Sequence, residues 1–301
     1  MTSTLNRNSA HTTATLQALL VTFLWSTSWV LVKWGLSDIP ALTFAGIRYS
    51  AAFVCLACLA AATRQNSRLQ ALSLRQWGKL ALLGLFYYTI TQGAQFYGLA
   101  SLPAITVSLL FNFTTPIVAL FGMLWLAEKP GLLQWTGILL CTAAGVIFFY
   151  PVEFPPSQII GIIVVVAGVC ANAIAAIMGR DINRSCDVPP LAVTTVSMGI
   201  GAFILMAVGI IIEPVPKITL LNWGMIAWLA VVNTALAFTL WNHTLRTLPA
   251  VESSIINSTM MVQIAILAWL FLGERITLQK GIGMTLAVIG TILVQIRLKR
   301  L

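Results

Sequence analysis

Inside the long apolar runs of this 301-residue chain stand a few side chains able to recognise a solute. Arg48 follows Pro40 by eight residues, hence lies about 12 Å down a helix that rises roughly 1.5 Å per residue. Its guanidinium can grip a carboxylate through two parallel N–H bonds, or it can anchor its helix to neighbouring carbonyls. Tyr88, Gln92 and Gln95 recur at i, i+4, i+7 and share one helical face. Asn112, Thr115 and Pro116 share another and Thr259 and Gln263 a third, while Asn172, Asn233 and Asn257 add single amides. Trp25 and Trp29 lie one turn apart near the middle of their run. An indole there can pack, stack on an apolar or aromatic group, or hold an ammonium group over its face. One amide alone reads as glue between membrane helices. Polar groups at similar depth on six spans read together as a wet cavity around a solute.

What the spans lack narrows the solute. Asp38, Glu128, Glu153, Asp181, Asp187, Glu213 and Glu274 all fall at span ends or in links, and Glu252 lies only a few residues into its helix. Exchange of protons for an organic cation usually needs a carboxylate within the membrane. A phosphorylated solute would need several intramembrane cations, and only Arg48 qualifies. The interior suits a neutral or zwitterionic solute. Nucleophilic or metal chemistry has little to work with. There are two histidines, one in the N-terminal tail, and five cysteines. Cys55 and Cys58 form a Cys-x-x-Cys, but inside apolar sequence, where free cysteine behaves as a small hydrophobe. No enzyme, metal or cofactor is expected.

These side chains must be positioned by membrane helices. Hydrophobic residues make up 59% of the chain and charged ones 8%, against about 25% charged in a soluble domain. The apolar runs are continuous and about as long as a bilayer is thick in helical form, so helices are favoured over barrel strands, which alternate. Ten spans are expected, near 13–35, 40–62, 76–99, 103–127, 132–150, 157–180, 189–212, 220–247, 250–272 and 277–298. The links are short and rich in Pro. The net charge of +9 invites a nucleic-acid partner, but the positive-inside rule accounts for it better. Arg7, Arg64, Arg68, Arg75, Lys79, Lys129, Arg180, Arg184, Arg246, Arg297, Lys299 and Arg300 fall on one side, against Lys33, Lys217, Arg275 and Lys280 on the other. Both termini are therefore expected in the cytoplasm.

The chain also repeats itself. Pro103 and Pro249 stand 146 residues apart, as do Ser108 and Ser254, Glu128 and Glu274, and Gly137 and Gly283. The same offset carries Tyr87 onto Asn233, Gln95 onto Trp241 and Asn112 onto Ser258. Repeats over 13–150 and 157–298 hold five spans each. An odd number forces the two halves to sit upside down relative to one another, a plan suited to rocking around a midplane site. Small-residue stripes at Gly137, Cys141 and Gly145 and at Gly283, Ala287 and Gly290 place the fifth and tenth spans at the periphery, for scaffolding or a homodimer contact.

The run from Leu99 to Phe149, LASLPAITVSLLFNFTTPIVALFGMLWLAEKPGLLQWTGILLCTAAGVIFF, resembles the second part of an EamA domain, and so does the run from Leu245 to Val294. FLWSTSWVLVKWGL and PALTFAGIRYSAAF resemble the opening pair of that domain. The resemblance implies the drug/metabolite transporter superfamily, with ten helices in two inverted five-helix repeats, and within it a similarity to bacterial amino-acid exporters. The second half departs from the domain opening: Ala171 and Asn172 stand for Trp25 and Ser26, and Met198 for Arg48. The expectation is an all-α exporter of amino acids, neutral or aromatic, or of similar small metabolites, in a bacterial inner membrane. Its partners are then the solute and the lipid bilayer, with the chain a monomer or homodimer. The alternative is an exporter of drugs, nucleosides or other neutral solutes. The residues expected to meet the solute are Trp25, Arg48, Tyr88, Gln92, Gln95, Asn112, Thr115, Asn172, Asn233, Trp241, Asn257, Thr259 and Gln263.

Overall fold

A computed structural model describes residues 2–62, 72–126, 131–150, 155–184, 189–214, 217–244, 247–248 and 250–295. Every regular element among them is helical. In chain order they are α1 (Thr2–Gly35), α2 (Ala41–Ala62), α3 (Leu74–Leu83), a π-helical segment (Gly84–Thr91), α4 (Gln92–Ser101), α5 (Ala104–Asn112), α6 (Thr114–Leu126), α7 (Leu132–Phe149), α8 (Pro156–Arg184), α9 (Pro190–Ile212), α10 (Leu220–Ala230), a second π-helical segment (Val231–Leu236), α11 (Ala237–Thr244), α12 (Ala250–Leu272) and α13 (Leu278–Gln295). Glu128, Lys129 and the side chain of Glu252 lie outside the described residues.

The starts follow the punctuation of the sequence. Ser73 accepts from the Gln76 amide while the Gln76 side chain accepts from the Ser73 amide, a capping box that opens α3. Thr219 caps α10. Pro103 and Pro189 precede α5 and α9, where a fixed φ and a missing N–H do no harm. Three expected spans are not uniform helices. The third and eighth widen into π turns. The fourth breaks at Phe113, because Pro116 has no N–H for the carbonyl of Asn112 and its ring crowds that carbonyl.

Six helical stretches are long and apolar enough to cross a membrane: His11–Gly35, Ala41–Ala62, Leu132–Phe149, Pro156–Gly179, Leu191–Ile212 and Leu220–Trp241. Ala104–Val118, Ile256–Leu272 and Leu278–Val294 are shorter apolar helices. The stretch from α3 through α4 reaches neither group, since Arg75, Lys79, Gln92 and Gln95 dilute it. Side chains such as Phe203 and Ile211, 76% and 82% exposed, would sit well in hydrocarbon and badly in water. This is a multi-pass membrane protein.

The chain divides into two compact units. One comprises Met1–Val30, Pro103–Pro155 and Ala237–Leu301, the other Leu31–Leu102 and Pro156–Leu236. In the first, α7 and α13 pack almost backbone to backbone. A Cβ on Gly137 would meet the Gly290 carbonyl at 2.6 Å, and one on Gly290 would meet Cys141 Sγ at 2.8 Å. The small-residue stripes thus face each other within one chain. In the second unit, α9 runs against α2 and the first π segment. A Cβ on Gly46 would meet the Met206 backbone at 2.7 Å, and one on Gly84 would run into the Ser197 carbonyl.

Candidate functional site

In the unit built on Leu31–Leu102 and Pro156–Leu236, α2 carries Arg48 inward until it is 4% exposed. Its Nε donates to Thr234 Oγ1 at 3.2 Å. The guanidinium carbon lies 5.3 Å from the ring centre of Tyr49 and 5.8 Å from that of Phe96. Among the described residues no carboxylate pairs with it. Tyr49 donates its hydroxyl to Gln92 Oε1 at 2.6 Å, and its ring meets that of Tyr88 at 5.8 Å. Arg48, Tyr88 and Gln92, expected from sequence, are therefore brought into one cluster, with Asn233 fully buried beside Thr234 in sequence. Gln95 and Asn172 are half-buried on α4 and α8.

Both π segments belong to this unit, and the repeat offset of 146 carries residues 85–90 onto 231–236. π turns are rare and concentrate at functional sites. A widened turn frees a carbonyl from the ordinary helical ladder, and a nearby hydroxyl can take it. Thr91 Oγ1 donates to the Phe86 carbonyl at 2.8 Å, and Thr234 Oγ1 to the Leu229 carbonyl at 2.9 Å, each five residues back. Having given its one hydrogen to Leu229, the Thr234 hydroxyl can only accept from Arg48.

In the other unit, Trp25 is set against Phe238 and Trp241, ring centres 5.1 and 5.3 Å away. Its Nε1 is buried and finds no hydrogen-bond acceptor among the described residues. On the next residue, Ser26 Oγ lies 2.8 Å from the Thr22 carbonyl and 2.9 Å from Gln263 Oε1, and its single hydrogen serves one of the two at a time. Gln263 Nε2 in turn reaches Thr259 Oγ1 at 3.1 Å and Thr22 Oγ1 at 3.4 Å. Trp25, Trp241, Thr259 and Gln263 thus gather as expected. Asn112 does not join them. Its Nδ2 donates to Thr291 Oγ1 at 3.0 Å and to the Ala287 carbonyl at 3.4 Å, both on α13, which is the geometry of glue between helices. Thr115 is half-buried on α6 and Asn257 exposed on α12. Trp29 packs edge-on against Phe111 at 6.3 Å.

Sequence reading passed over Tyr49, Thr234, Phe96 and Phe238 as site residues. Tyr49 and Thr234 adjoin residues it did choose, so adjacency to Arg48 and Asn233 was the available signal. It placed Glu213 at a span end, and Glu274 at a helix end where it would fix a turn by capping or an ion pair. Each in fact clasps the start of a distant helix. Glu213 accepts from the amides of Leu42 and Thr43 at 3.0 and 2.8 Å, and Glu274 from those of Ala104 and Ile105 at 2.5 and 3.0 Å. Gly273, with φ of 68°, ends α12 and turns the chain at Glu274. That left-handed backbone suits glycine.

The profile of the EamA-like transporter family matches residues 12–150 and again residues 159–296. The chain belongs to that family. The uncharacterized transporter YoaV of Bacillus subtilis (strain 168) is 27% identical over 280 residues, spanning 90% of this chain and 92% of its own. The uncharacterized transporter YvbV of the same organism is 26% identical over 227 residues, 75% of this chain and 69% of its own. A solved crystal structure superposes with a TM-score of 0.68 at 18% identity, covering 94% of this chain and 96% of that one, and bears on the fold alone. The two matched stretches make this EamA protein a membrane transporter built from two copies of the family domain.

Proposed function

We propose that this EamA transporter exports amino acids, neutral or aromatic, or similar small metabolites from a bacterial cytoplasm by alternating access. Ten spans in two inverted repeats, with both termini cytoplasmic, are the topology this requires. The observation that carries the reading is a buried guanidinium with no carboxylate partner among the described residues, in a chain whose helices also bury Gln92, Asn233 and the indole nitrogen of Trp25. A zwitterion offers a carboxylate to the cation and an ammonium group that oxygen acceptors or an aromatic face can take. A solute without charge would leave Arg48 uncompensated. The residues proposed to meet the solute are then Trp25, Arg48, Tyr88, Gln92, Gln95, Thr115, Asn172, Asn233, Trp241, Asn257, Thr259 and Gln263. Asn112 drops out because its amide is committed to α13.

Counterflow of a labelled amino-acid panel in proteoliposomes tests the reading, with a nucleoside and a quaternary-ammonium dye as the competing cargo. Cysteines placed at Trp25, Gln92, Asn172, Asn233 and Gln263 in a Cys-less background should react with a membrane-impermeant thiol reagent, and the transported amino acid should slow them. Cysteines at Val146 and Val288 should stay inert, since thiolate formation needs water. Uniform inertness would reduce all these polar groups to packing.

A further inference from the structure

Arginine keeps its proton in essentially any protein environment. A buried guanidinium therefore stays charged and needs a counter-charge or full hydrogen bonding. Arg48 has neither among the described residues. Its surroundings nevertheless fix it firmly. The rings of Tyr49 and Phe96 lie 5.3 and 5.8 Å from its carbon. Nε is taken by Thr234, whose hydroxyl is itself polarised by donation to Leu229. With Nε engaged, the edge that remains is the terminal pair of Nη nitrogens. Two parallel N–H donors in one plane match the two oxygens of a carboxylate. Gln92 stands nearby through Tyr49; its Oε1 is occupied, while its Nε2 carries two donors of its own.

We propose that the Nη edge of Arg48 is a binding site for one carboxylate group, held in a seat made by Tyr49, Phe96 and Thr234. The inference rests on the transporter reading only for the source of that carboxylate. It can belong to the exported solute, or the same edge can hold a small anion from solution between transport cycles.

The test uses the full-length protein purified in detergent and follows its thermal unfolding during titration with sodium benzoate, with benzamide as the uncharged match. Benzoate should raise the unfolding temperature saturably, and benzamide at the same concentrations should not. R48Q should weaken the apparent benzoate affinity at least tenfold. R48K keeps a charge but loses the fork, so it should weaken benzoate and leave any chloride response in place. Competition by L-phenylalanine but not by L-phenylalaninamide assigns the carboxylate to a transported solute. Equal competition by sodium chloride assigns the seat to a free anion. Equal shifts with benzoate and benzamide in the unmutated protein would overturn the site, and that comparison needs no variant to fold. An unchanged benzoate titration in R48Q would overturn it as well. Absence of amino-acid counterflow with the benzoate response intact would sink the export reading and leave this site standing.

Discussion

A carboxylate that spans two free amides at a helix start does two things at once. It satisfies donors that have no partner in their own helix, and it sets a negative charge against the positive end of the helix dipole. Glu213 and Glu274 each do this for a helix some 170 residues away in sequence. E213Q and E274Q should each lower stability by about 1–2 kcal/mol, read as a shift in a denaturation midpoint, and the double variant should show nearly the sum because the two share no partner. Trp25 presents the opposite case, a buried donor without an acceptor among the described residues. W25F removes that N–H but also trims a ring packed on Phe238 and Trp241, so it should lower stability by about 1 kcal/mol, while cutting counterflow several-fold if the indole serves the solute. Such distinctions were only partly legible in the sequence. Depth in an apolar run pointed to Arg48, Gln92 and Gln263. Nothing in the local sequence distinguished Asn112, spent on Thr291, from those three, because a helical face does not say which neighbour it meets.

Helices were legible almost throughout, since an apolar run bounded by Pro, Gly or charge has few other ways to cross a bilayer. Departures from uniform helix were harder to read. The break at Phe113 has a visible cause in Pro116. The π segments at Gly84–Thr91 and Val231–Leu236 carry no residue signature, because the extra residue they accommodate is defined only against the helix ladder. The small-residue stripes were legible as close-approach surfaces, yet not as partners of one another. Their packing makes a sharp expectation. Gly137→Ala places a Cβ 2.6 Å from the Gly290 carbonyl and 2.7 Å from the Val294 nitrogen, both backbone atoms that cannot step aside. It should cost about 1–3 kcal/mol. Gly281→Ala on the same α13 meets nothing within 4 Å and should be neutral or stabilise by up to about 1 kcal/mol. Parallel thermal melts of the two variants decide it.

At the scale of the molecule, sequence repeat and compact unit are different divisions of one chain. Each unit draws helices from both repeats: α5, α6 and α7 with α12 and α13 in one, α2, α3 and α4 with α8, α9 and α10 in the other. Neither repeat, expressed alone, supplies the partners its helices pack against, so a fragment ending near residue 150 should fail to yield a stable protein in detergent, whereas co-expressed halves should recover it. Reporter fusions after Leu301 and within residues 151–157 should give opposite readings, as five spans between them require; equal readings would break the inverted-repeat topology. The two carboxylate clasps add a constraint on biogenesis. The starts of α2 and α5 enter the membrane long before Glu213 and Glu274 have been synthesised. At about 5–20 residues per second, the delay is roughly 10–30 s. For that interval the amides of Leu42, Thr43, Ala104 and Ile105 must be held by water, lipid headgroups or the insertion machinery. A ribosome stalled before Glu274 would leave α5 without its clasp, an incomplete chain that membrane quality control could recognise by one exposed helix end.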